Sequence, residues 1–433
     1  MSKPCSTTPS SAQFGLEHFY RERRSLTDFR RGPLGPHFDG FATSLKAKGY
    51  CLHLARSKLG VACQFNVFLM DRGIGTLAEV SESLIEPFLD LYLAGVRTAG
   101  ERYRPRANAL NYVKSLLQYL VESGALVVPT PKPVIKPYSW VLNPYLQHLR
   151  DDHELSPASI DQITKHLASF LEVLPERAQR RHFHTLPPET VGTHIKRHLK
   201  DSPYNLQRLS SSLRRFFRYC AVHGLTQSDL SGLIPPVRYY RHASLPQGAD
   251  DSTVRRFLAA INRDSPVGAR DYAIAILLVA YGIRGISAAQ LLLDDIDWQH
   301  SRIRFRAQKG GKEVIVPLLE PVGDALIQWL RHRFPQSPFR EVFLASGAPH
   351  RPLTSGAISY LIHRSMAEAG FAGAGTGTRT LRHSWAIRAL AHDSPIKAIA
   401  DVLGHRYIDT TFIYAKVDFK TLRDVALPWP QER

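Results

Sequence analysis

The chain is poor in cysteine and has no apolar run long enough to cross a membrane. Its four cysteines show neither metal-ligand spacing nor a disulfide framework, which favours a reducing cytosol: Cys5, Cys51, Cys63 and Cys220. The longest apolar run, residues 272–283, is too short to span a bilayer and predicts a buried helix. Residues 1–15 lack the apolar core of a secretory signal. We therefore expect a cytoplasmic protein without membrane contact.

Acidic residues are also scarce relative to basic ones. The chain has 38 Asp and Glu against 56 Lys and Arg, a formal net charge of +18. This excess predicts a polyanionic partner, most simply nucleic acid, although a soluble basic protein without such a partner can carry the same charge. The sequence contains no glycine-rich phosphate loop and no metal-spaced cluster, so we expect no cofactor and no metal.

Two proline-rich stretches, residues 127–137 and 234–250, resist both helix and strand and predict linkers. They divide the 433 residues into three blocks, which is a reasonable number of domains for this length. We predict helical domains over residues 1–130 and 138–236, and a domain that mixes helix and strand over residues 245–433.

The first two blocks resemble each other at an offset of 100 residues. Segments 108–126 and 208–226 both carry apolar side chains at helical spacing and end at a glycine that predicts a helix C-terminus. The corresponding pairs are Val113 and Leu213, Tyr119 and Tyr219, and Gly124 and Gly224. This pattern favours two helical bundles, the first a diverged repeat of the second.

The two segments differ in charge. The second carries a basic face with interleaved aromatic residues, and its candidate DNA contacts are Arg208, Arg214, Arg215 and Arg218. The first has Asn108, Ser115 and Gln118 at three of the corresponding positions. A basic helix face suits contact with phosphates, although a solvated face with core aromatics gives the same pattern. We expect the second bundle to contact DNA more than the first.

The third block predicts a β-hairpin between helices. Ile303, Phe305 and Ala307 alternate with three arginines, residues 308–311 supply a turn, and residues 313–318 return as the second strand. The helix before residues 272–283 should begin with Asp251 or Ser252 as its cap.

Residues in this block suit the attack of a tyrosine on a phosphodiester. The phosphorus centre gains negative charge in the transition state, and arginine meets that charge with a planar fork that grips two oxygens. The leaving oxygen also needs a proton donor. The candidates are Arg284, Lys309, Arg379, Arg382, His405 and Tyr414. Taken singly, each is explained as well by a surface arginine, a capping histidine or a core tyrosine.

The order of these residues resembles the tyrosine recombinase family, the phage-integrase-like site-specific recombinases. "YGIRGISAAQLLLDDID" resembles the first arginine box of the family, and "RAQKGGKEVIVPL" its lysine hairpin. "TLRHSWAIRAL" and "LGHRYIDTTFIYAKV" resemble its second box. The resemblance covers residues 245–418, and residues 138–234 resemble the helical, SAM-like core-binding domain. It implies a mainly α fold with a small β-hairpin or sheet in the catalytic domain.

The resemblance implies a role for each candidate. Arg284 and Arg382 would clamp the scissile phosphate, His405 would hydrogen-bond it, Lys309 would protonate the leaving oxygen, and Tyr414 would be the nucleophile. Position 379 is usually histidine, sometimes lysine, in the family. Arginine there can donate to phosphate but cannot act as a base.

A second departure from the family lies at position 287. The residue three after the first arginine is usually acidic and supports that arginine, but here it is Ser287. We therefore expect the orientation of Arg284 to be less firmly fixed than in the family.

The implied function is DNA cleavage and rejoining through a 3′-phosphotyrosyl bond, without ATP or metal. The implied partners are double-stranded DNA and further copies of the chain in a tetramer, and accessory recombination proteins are a further candidate. The implied location is the cytoplasm of a prokaryotic cell, at the nucleoid. The tail after Tyr414 resembles recombinases of mobile elements, which favours integration or transposition. Two alternatives stay open: a type IB topoisomerase that only relaxes DNA, and a recombinase-derived protein that binds DNA without cleaving it.

Overall fold

A computed structural model describes residues 15–20, 23–95, 105–126, 136–176, 183, 186–237, 245–307, 312–371 and 376–418. The chain forms two compact units: residues 1–128 together with 245–433, and residues 129–244. The division into three domains, with the first as a repeat of the second, stays a prediction. No helix among the described residues is long and apolar enough to cross a membrane.

The N-terminal part of the first unit is a helical bundle. Its helices are α1 (Arg23–Phe29), α2 (Phe38–Ala47), α3 (Leu52–Asp71), α4 (Ile85–Ala94) and α5 (Pro105–Glu122). They enclose a core rich in phenylalanine, in which Phe65 and Phe88 meet edge to face with ring centroids 5.1 Å apart. Buried Asn66 joins this core to the chain before α2: its amide donates to Arg31 O at 2.7 Å and its oxygen accepts from Leu34 N at 3.0 Å.

The second unit is a helical bundle with its own core. Its helices are α6 (Ser139–Asp151), α7 (Pro157–Leu171), α8 (Pro188–Arg197) and α9 (Pro203–Val222), followed by a 3-10 helix, Leu230–Leu233. Helices α7 and α9 begin alike, because Ser156 and Ser202 cap them and proline follows at the first helical position.

Helices α5 and α9 bury corresponding positions. Their shared buried residues, at an offset of 100, are Ala109 and Leu209, Val113 and Leu213, Leu116 and Phe216, Leu117 and Phe217, and Leu120 and Cys220. Both helices end at the predicted glycines, which have left-handed φ values of +72° and +64°. Arg208, Arg215 and Arg218 lie on the exposed side of α9, as expected.

The C-terminal part of the first unit mixes helix and strand. Its helices are α10 (Asp251–Ala260), α11 (Pro266–Tyr281), α12 (Gly285–Ala289), α13 (Glu320–His332), α14 (Ser355–Glu368), α15 (Thr378–Ala391) and α16 (Ile396–Val402). The cap of α10 is Asp250, whose carboxylate accepts from Thr253 N at 2.7 Å, so the expectation of Asp251 or Ser252 was wrong. The predicted buried helix is α11.

The strands form one antiparallel sheet in the order β1 (Ile296–Asp297), β2 (Arg302–Phe305), β3 (Val314–Pro317). In the hairpin Ile303 pairs with Val316 and Phe305 with Val314, which confirms the predicted strands. Ala307 is exposed beyond the end of β2, so the alternation stops earlier than expected. The short strand β1 was not predicted, and the turn at 308–311 lies outside the described residues. The mainly α fold class with a small sheet is confirmed.

Helix α15 caps the C-terminal end of α11. The last carbonyls of a helix lack intrahelical partners, and α15 supplies them with donors: Arg388 Nη2 to Val279 O at 3.0 Å, Trp385 Nε1 to Ala280 O at 2.9 Å, and Arg382 Nη1 to Gly282 O at 2.8 Å. This contact fixes α15 against the turn that leads to Arg284. It therefore brings the two arginine boxes together.

Candidate active site

The first arginine box is positioned by a tight turn after α11. Gly282 ends the helix with φ +60°, and a Cβ there would lie 2.9–3.0 Å from the ring of Trp385, so both backbone and space require glycine. Arg284 follows as the N-cap of α12. Its guanidinium is half-buried and donates one hydrogen bond within the described residues, Nη1 to Leu403 O at 3.5 Å. With serine at position 287, no carboxylate in the described chain holds this guanidinium.

Arg382 lies deeper, on the buried side of α15, with a relative exposure of 8%. Its Nη2 donates to Leu403 O at 2.9 Å. The guanidiniums of Arg284 and Arg382 therefore converge on one carbonyl oxygen. Burial and the neighbouring charge of Arg284 lower the pKa of Arg382 to about 10, and Tyr414 opposes this shift. Burial also lowers the pKa of Arg284.

His405 is held next to Arg382 by the turn that ends α16. Its backbone N–H donates to Ala400 O at 2.9 Å. Its Nε2 lies 2.7 Å from Arg382 Nη2, and its Nδ1 lies 2.7 Å from Thr411 Oγ1. Because arginine can only donate, Nε2 accepts and Nδ1 carries the proton to Thr411. Burial and the charges of Arg382 and Arg284 lower the pKa of His405 to about 3, so the ring is neutral near pH 7.

Tyr414 lies in the 3-10 helix Phe412–Val417 and is buried, with 2% relative exposure. Its hydroxyl lies 2.9 Å from His383 Nδ1, and the two rings meet edge to face with centroids 5.6 Å apart. Burial raises the pKa of the phenol, while Arg382, Arg284 and Arg379 act in the opposite direction. The hydroxyl thus lies in the field of three arginines.

Arg379 is exposed one helical turn before Arg382 and His383 on α15. It makes no hydrogen bond or ion pair with any residue that the structure describes, although its charge acts on both His383 and Tyr414. No carboxylate among the described residues pairs with Arg284, Arg379 or Arg382. Such uncompensated positive charge, part of it buried, is costly unless an anion occupies the site.

The structure thus brings together Arg284, Arg379, Arg382, His405 and Tyr414, whereas Lys309 lies outside the described residues. Lys312, which lines a cleft beside Arg284, Ser287 and Arg382, was not among the predicted residues. His383 and Thr411, the partners of Tyr414 and His405, were not predicted either. The position of His383 next to Arg382 and one helical turn after Arg379 is the signal that could have identified it. Nothing in the local sequence marked Thr411.

The predicted DNA contacts of the second unit divide into two groups. Arg208, Arg215 and Arg218 are exposed and form no ion pair with a described residue. Arg214 is partly buried and donates to Ile234 O at 3.2 Å and Pro235 O at 3.1 Å, so it ties α9 to the segment that leaves the bundle. Arg214, Arg215 and Arg218 also line a groove with three histidines, His148, His153 and His223.

Comparison with known proteins identifies the family. The model of the phage integrase family matches residues 249–421. An integrase/recombinase of Sinorhizobium fredii, y4rA, is 30% identical over 96% of this chain and 100% of its own length. A tyrosine recombinase XerC of Alcanivorax borkumensis is 28% identical over 66% of this chain and 91% of its own.

Solved structures share the fold. A lambda integrase dimer bound to a COC′ core site matches with a TM-score of 0.52 and 14% identity, over 76% of this chain and 90% of its own. The XerH site-specific recombinase bound to a palindromic difH substrate matches with a TM-score of 0.51 and 18% identity, over 80% and 95%. The sequence motifs, the fold and these relatives together establish that the chain belongs to the phage integrase family of tyrosine recombinases.

Proposed function

We propose that this protein is a site-specific DNA recombinase that cleaves and rejoins DNA through a 3′-phosphotyrosyl intermediate. The observation that carries the proposal is the environment of Tyr414 Oη, which lies in the field of three arginines without a paired carboxylate in the described chain. A buried cationic pocket around a potential oxygen nucleophile suits a phosphodiester, because the phosphate balances the arginines and its transition state gains further negative charge.

Each residue has a distinct role in this reaction. Tyr414 Oη forms a bond to phosphorus, the bond between phosphorus and the 5′ oxygen breaks, and the phenol loses its proton. Arg284 and Arg382 both donate to Leu403 O in the structure. On DNA their guanidinium groups would reorient and donate to the phosphate oxygens. Arg379 would donate from the exposed side, and Lys309 would give a proton to the leaving oxygen. The phosphotyrosyl bond keeps the energy of the broken linkage, so rejoining needs neither ATP nor metal.

His405 can serve the phosphate without losing its support. In the structure its Nδ1 donates to Thr411 Oγ1 while Nε2 accepts from Arg382. When Arg382 turns to the phosphate, Nε2 must become a donor. The hydroxyl of Thr411 can donate as well as accept, so the ring can move its proton to Nε2 and keep the bond at Nδ1.

Double-stranded DNA and further copies of the chain are the proposed partners. A lambda integrase tetramer bound to a Holliday junction matches this chain with a TM-score of 0.50 and 14% identity. In such a tetramer the tyrosine of each active subunit would stay attached to one DNA end while the free end moves to the partner duplex. Two such strand exchanges would complete recombination. The exposed arginines of α9 supply a surface for the flanking duplex.

The extent to which each relative aligns with this chain favours integration or transposition of a mobile element. The match to y4rA runs through the N-terminal bundle, since it spans 96% of this chain and 100% of the relative. The match to XerC spans only 66% of this chain. The additional N-terminal bundle therefore favours the integrase-type relatives as the functional model.

The test is covalent capture on DNA. Duplexes that bind Tyr414→Phe would be selected from a random-sequence pool and then nicked at successive positions, so that the short product of cleavage diffuses away. Wild type should form an adduct that survives denaturing electrophoresis, and Tyr414→Phe should form none while it binds the same duplexes with similar affinity.

The outcomes separate the proposal from its alternatives. An adduct in Tyr414→Phe would remove Tyr414 as the nucleophile. Binding by wild type without any adduct would favour the non-catalytic DNA-binding protein. Adducts with plasmid relaxation, but without exchange between two selected sites on one plasmid, would favour the topoisomerase.

A further inference from the structure

The neighbour of the nucleophile is an imidazole that the motif assignment leaves without a role. His383 follows Arg382 on α15, and its Nδ1 lies 2.9 Å from Tyr414 Oη, at ordinary hydrogen-bond distance. The contact joins residues 31 positions apart in the chain. Among the described residues, His383 Nδ1 is the one side-chain atom that forms a hydrogen bond with the phenolic oxygen.

The same helix explains why an imidazole is needed there. Arg379 precedes His383 by four residues, so the two side chains share one face of α15. Arginine at position 379 stays charged and has no lone pair available for a proton. His383 offers the chemistry that Arg379 lacks: a neutral ring nitrogen that can accept a hydrogen bond and then the proton.

We propose that His383 is the general base of this chain, and that its Nδ1 takes the phenolic proton of Tyr414 as Oη attacks the scissile phosphorus. The inference rests on the proposed function. The neutral ring carries its proton on Nε2 and accepts from the phenol at Nδ1. As the bond between Oη and phosphorus forms and the bond to the 5′ oxygen breaks, the phenolic proton moves to Nδ1 and the leaving oxygen is protonated separately. In rejoining, the imidazolium returns its proton to the phenolic oxygen.

Bound phosphate makes this base stronger. Without DNA, burial and the charges of Arg379 and Arg382 lower the pKa of His383 to about 4, so the ring is neutral and ready to accept. The groups that face it are these two arginines on its own helix and Tyr414 from the 3-10 helix, with Arg284 acting on Tyr414 from the opposite box. A phosphodiester against the arginines offsets their charge and raises the pKa of the imidazole toward the value that suits a base.

The test compares His383→Asn with wild type in single-turnover cleavage of the selected nicked duplexes, at saturating protein, between about pH 6 and 9.5. Asparagine can still accept a hydrogen bond near the Nδ1 position but cannot take a proton. We expect cleavage about 10²-fold slower or more at neutral pH. The deficit should shrink as the pH rises, because the phenol then loses its proton to solvent.

A second variant distinguishes a base from a residue that only orients the phenol. With 3,5-difluorotyrosine in place of Tyr414, the phenol is more acidic and needs less help. This replacement should restore cleavage in His383→Asn far more than it accelerates the parent enzyme. The matched control is His392→Asn, the same change at the exposed end of α15, which should cleave like wild type.

The results that would overturn the proposal are distinct from those that would overturn the function. Cleavage by His383→Asn within about threefold of wild type at neutral pH, or a deficit that is equal at every pH and insensitive to fluorination, would show that His383 only packs against the tyrosine. If wild type and His392→Asn form no adduct at all, the proposed function fails instead.

Discussion

Helices α5 and α9 share a scaffold but present different surfaces. They bury the same five positions and end at corresponding glycines. On the N-terminal bundle Arg106 is neutralised by Glu86 and Asp90. On the second bundle the exposed arginines of α9 have no carboxylate partner in the described chain. The comparison shows that the buried residues determine where the helix lies, whereas the residues on its exposed face can differ and so provide a binding surface on one bundle alone.

The two bundles also differ in how they treat buried polar groups. Asn66 of the N-terminal bundle satisfies both ends of its amide with backbone partners. In the second bundle the buried His194 forms no hydrogen bond at either ring nitrogen within the described residues, and buried Tyr145 likewise leaves its hydroxyl unpaired. Unpaired buried groups cost stability. These two unpaired groups therefore lower the stability of the second bundle.

The largest expected effect tests the surface difference. Substituting Arg208, Arg215 and Arg218 together by alanine should weaken DNA binding by about 10²-fold or more at moderate salt, because each arginine that neutralises a phosphate releases counterions. The slope of log affinity against log salt should flatten by about 0.9 for each phosphate that the variant leaves unneutralised. Fluorescence anisotropy with a labelled selected duplex, over a salt series, measures both quantities.

The matched control changes the corresponding positions of α5. Asn108, Ser115 and Gln118 replaced together by alanine should leave affinity and salt slope unchanged. If the two triple variants behave alike, α9 does not form the DNA interface and the contrast between the bundles has another cause.

Features encoded within short segments could be predicted from the sequence. Arg284, Arg382, His405 and Tyr414 were named as candidates because each lies in a short motif, and the order of these motifs resembles the tyrosine recombinase family. Their catalytic roles stay predictions. The buried faces of α5 and α9 were predicted for the same reason, since helical periodicity is a local signal.

What escaped prediction depends on contacts between distant segments. The bond between His383 and Tyr414 exists only because α15 packs beside the 3-10 helix that carries the nucleophile. The meeting point of Arg284 and Arg382 is a backbone carbonyl, Leu403 O, which no residue type reveals. Strand β1 has two residues and is defined by its pairing with β2.

An intermediate effect tests the buried histidine of the second bundle. Burial and the charges of His198 and Arg197 lower the pKa of His194 to about 4, below its value in the unfolded chain. The unfolded chain therefore binds the proton first, and the free energy of unfolding falls as the pH drops from about 6.5 toward 4. Between pH 7.5 and 5, the free energy of unfolding should therefore fall by about 2 kcal/mol less in His194→Leu than in wild type. Hydrogen–deuterium exchange of the α9 amides, corrected for intrinsic rates, measures this free energy at each pH.

Helix α5 of the N-terminal bundle provides the comparison. In His194→Leu the amides of α5 should exchange with the same pH dependence as in wild type. An unchanged pH dependence of α9 in His194→Leu would mean that the imidazole is solvated in both states.

The smallest expected effect tests the shared scaffold itself. Gly124 and Gly224 both have left-handed backbones, and a Cβ on either meets no atom within 4 Å. Alanine therefore costs only the conformational strain, about 1–2 kcal/mol at each position. Gly124→Ala should speed exchange in α5 and Gly224→Ala in α9, by similar factors and each without effect on the other bundle. Clearly unequal factors would mean that the two helix ends are not equivalent, and the correspondence between the bundles would then extend to their buried faces alone.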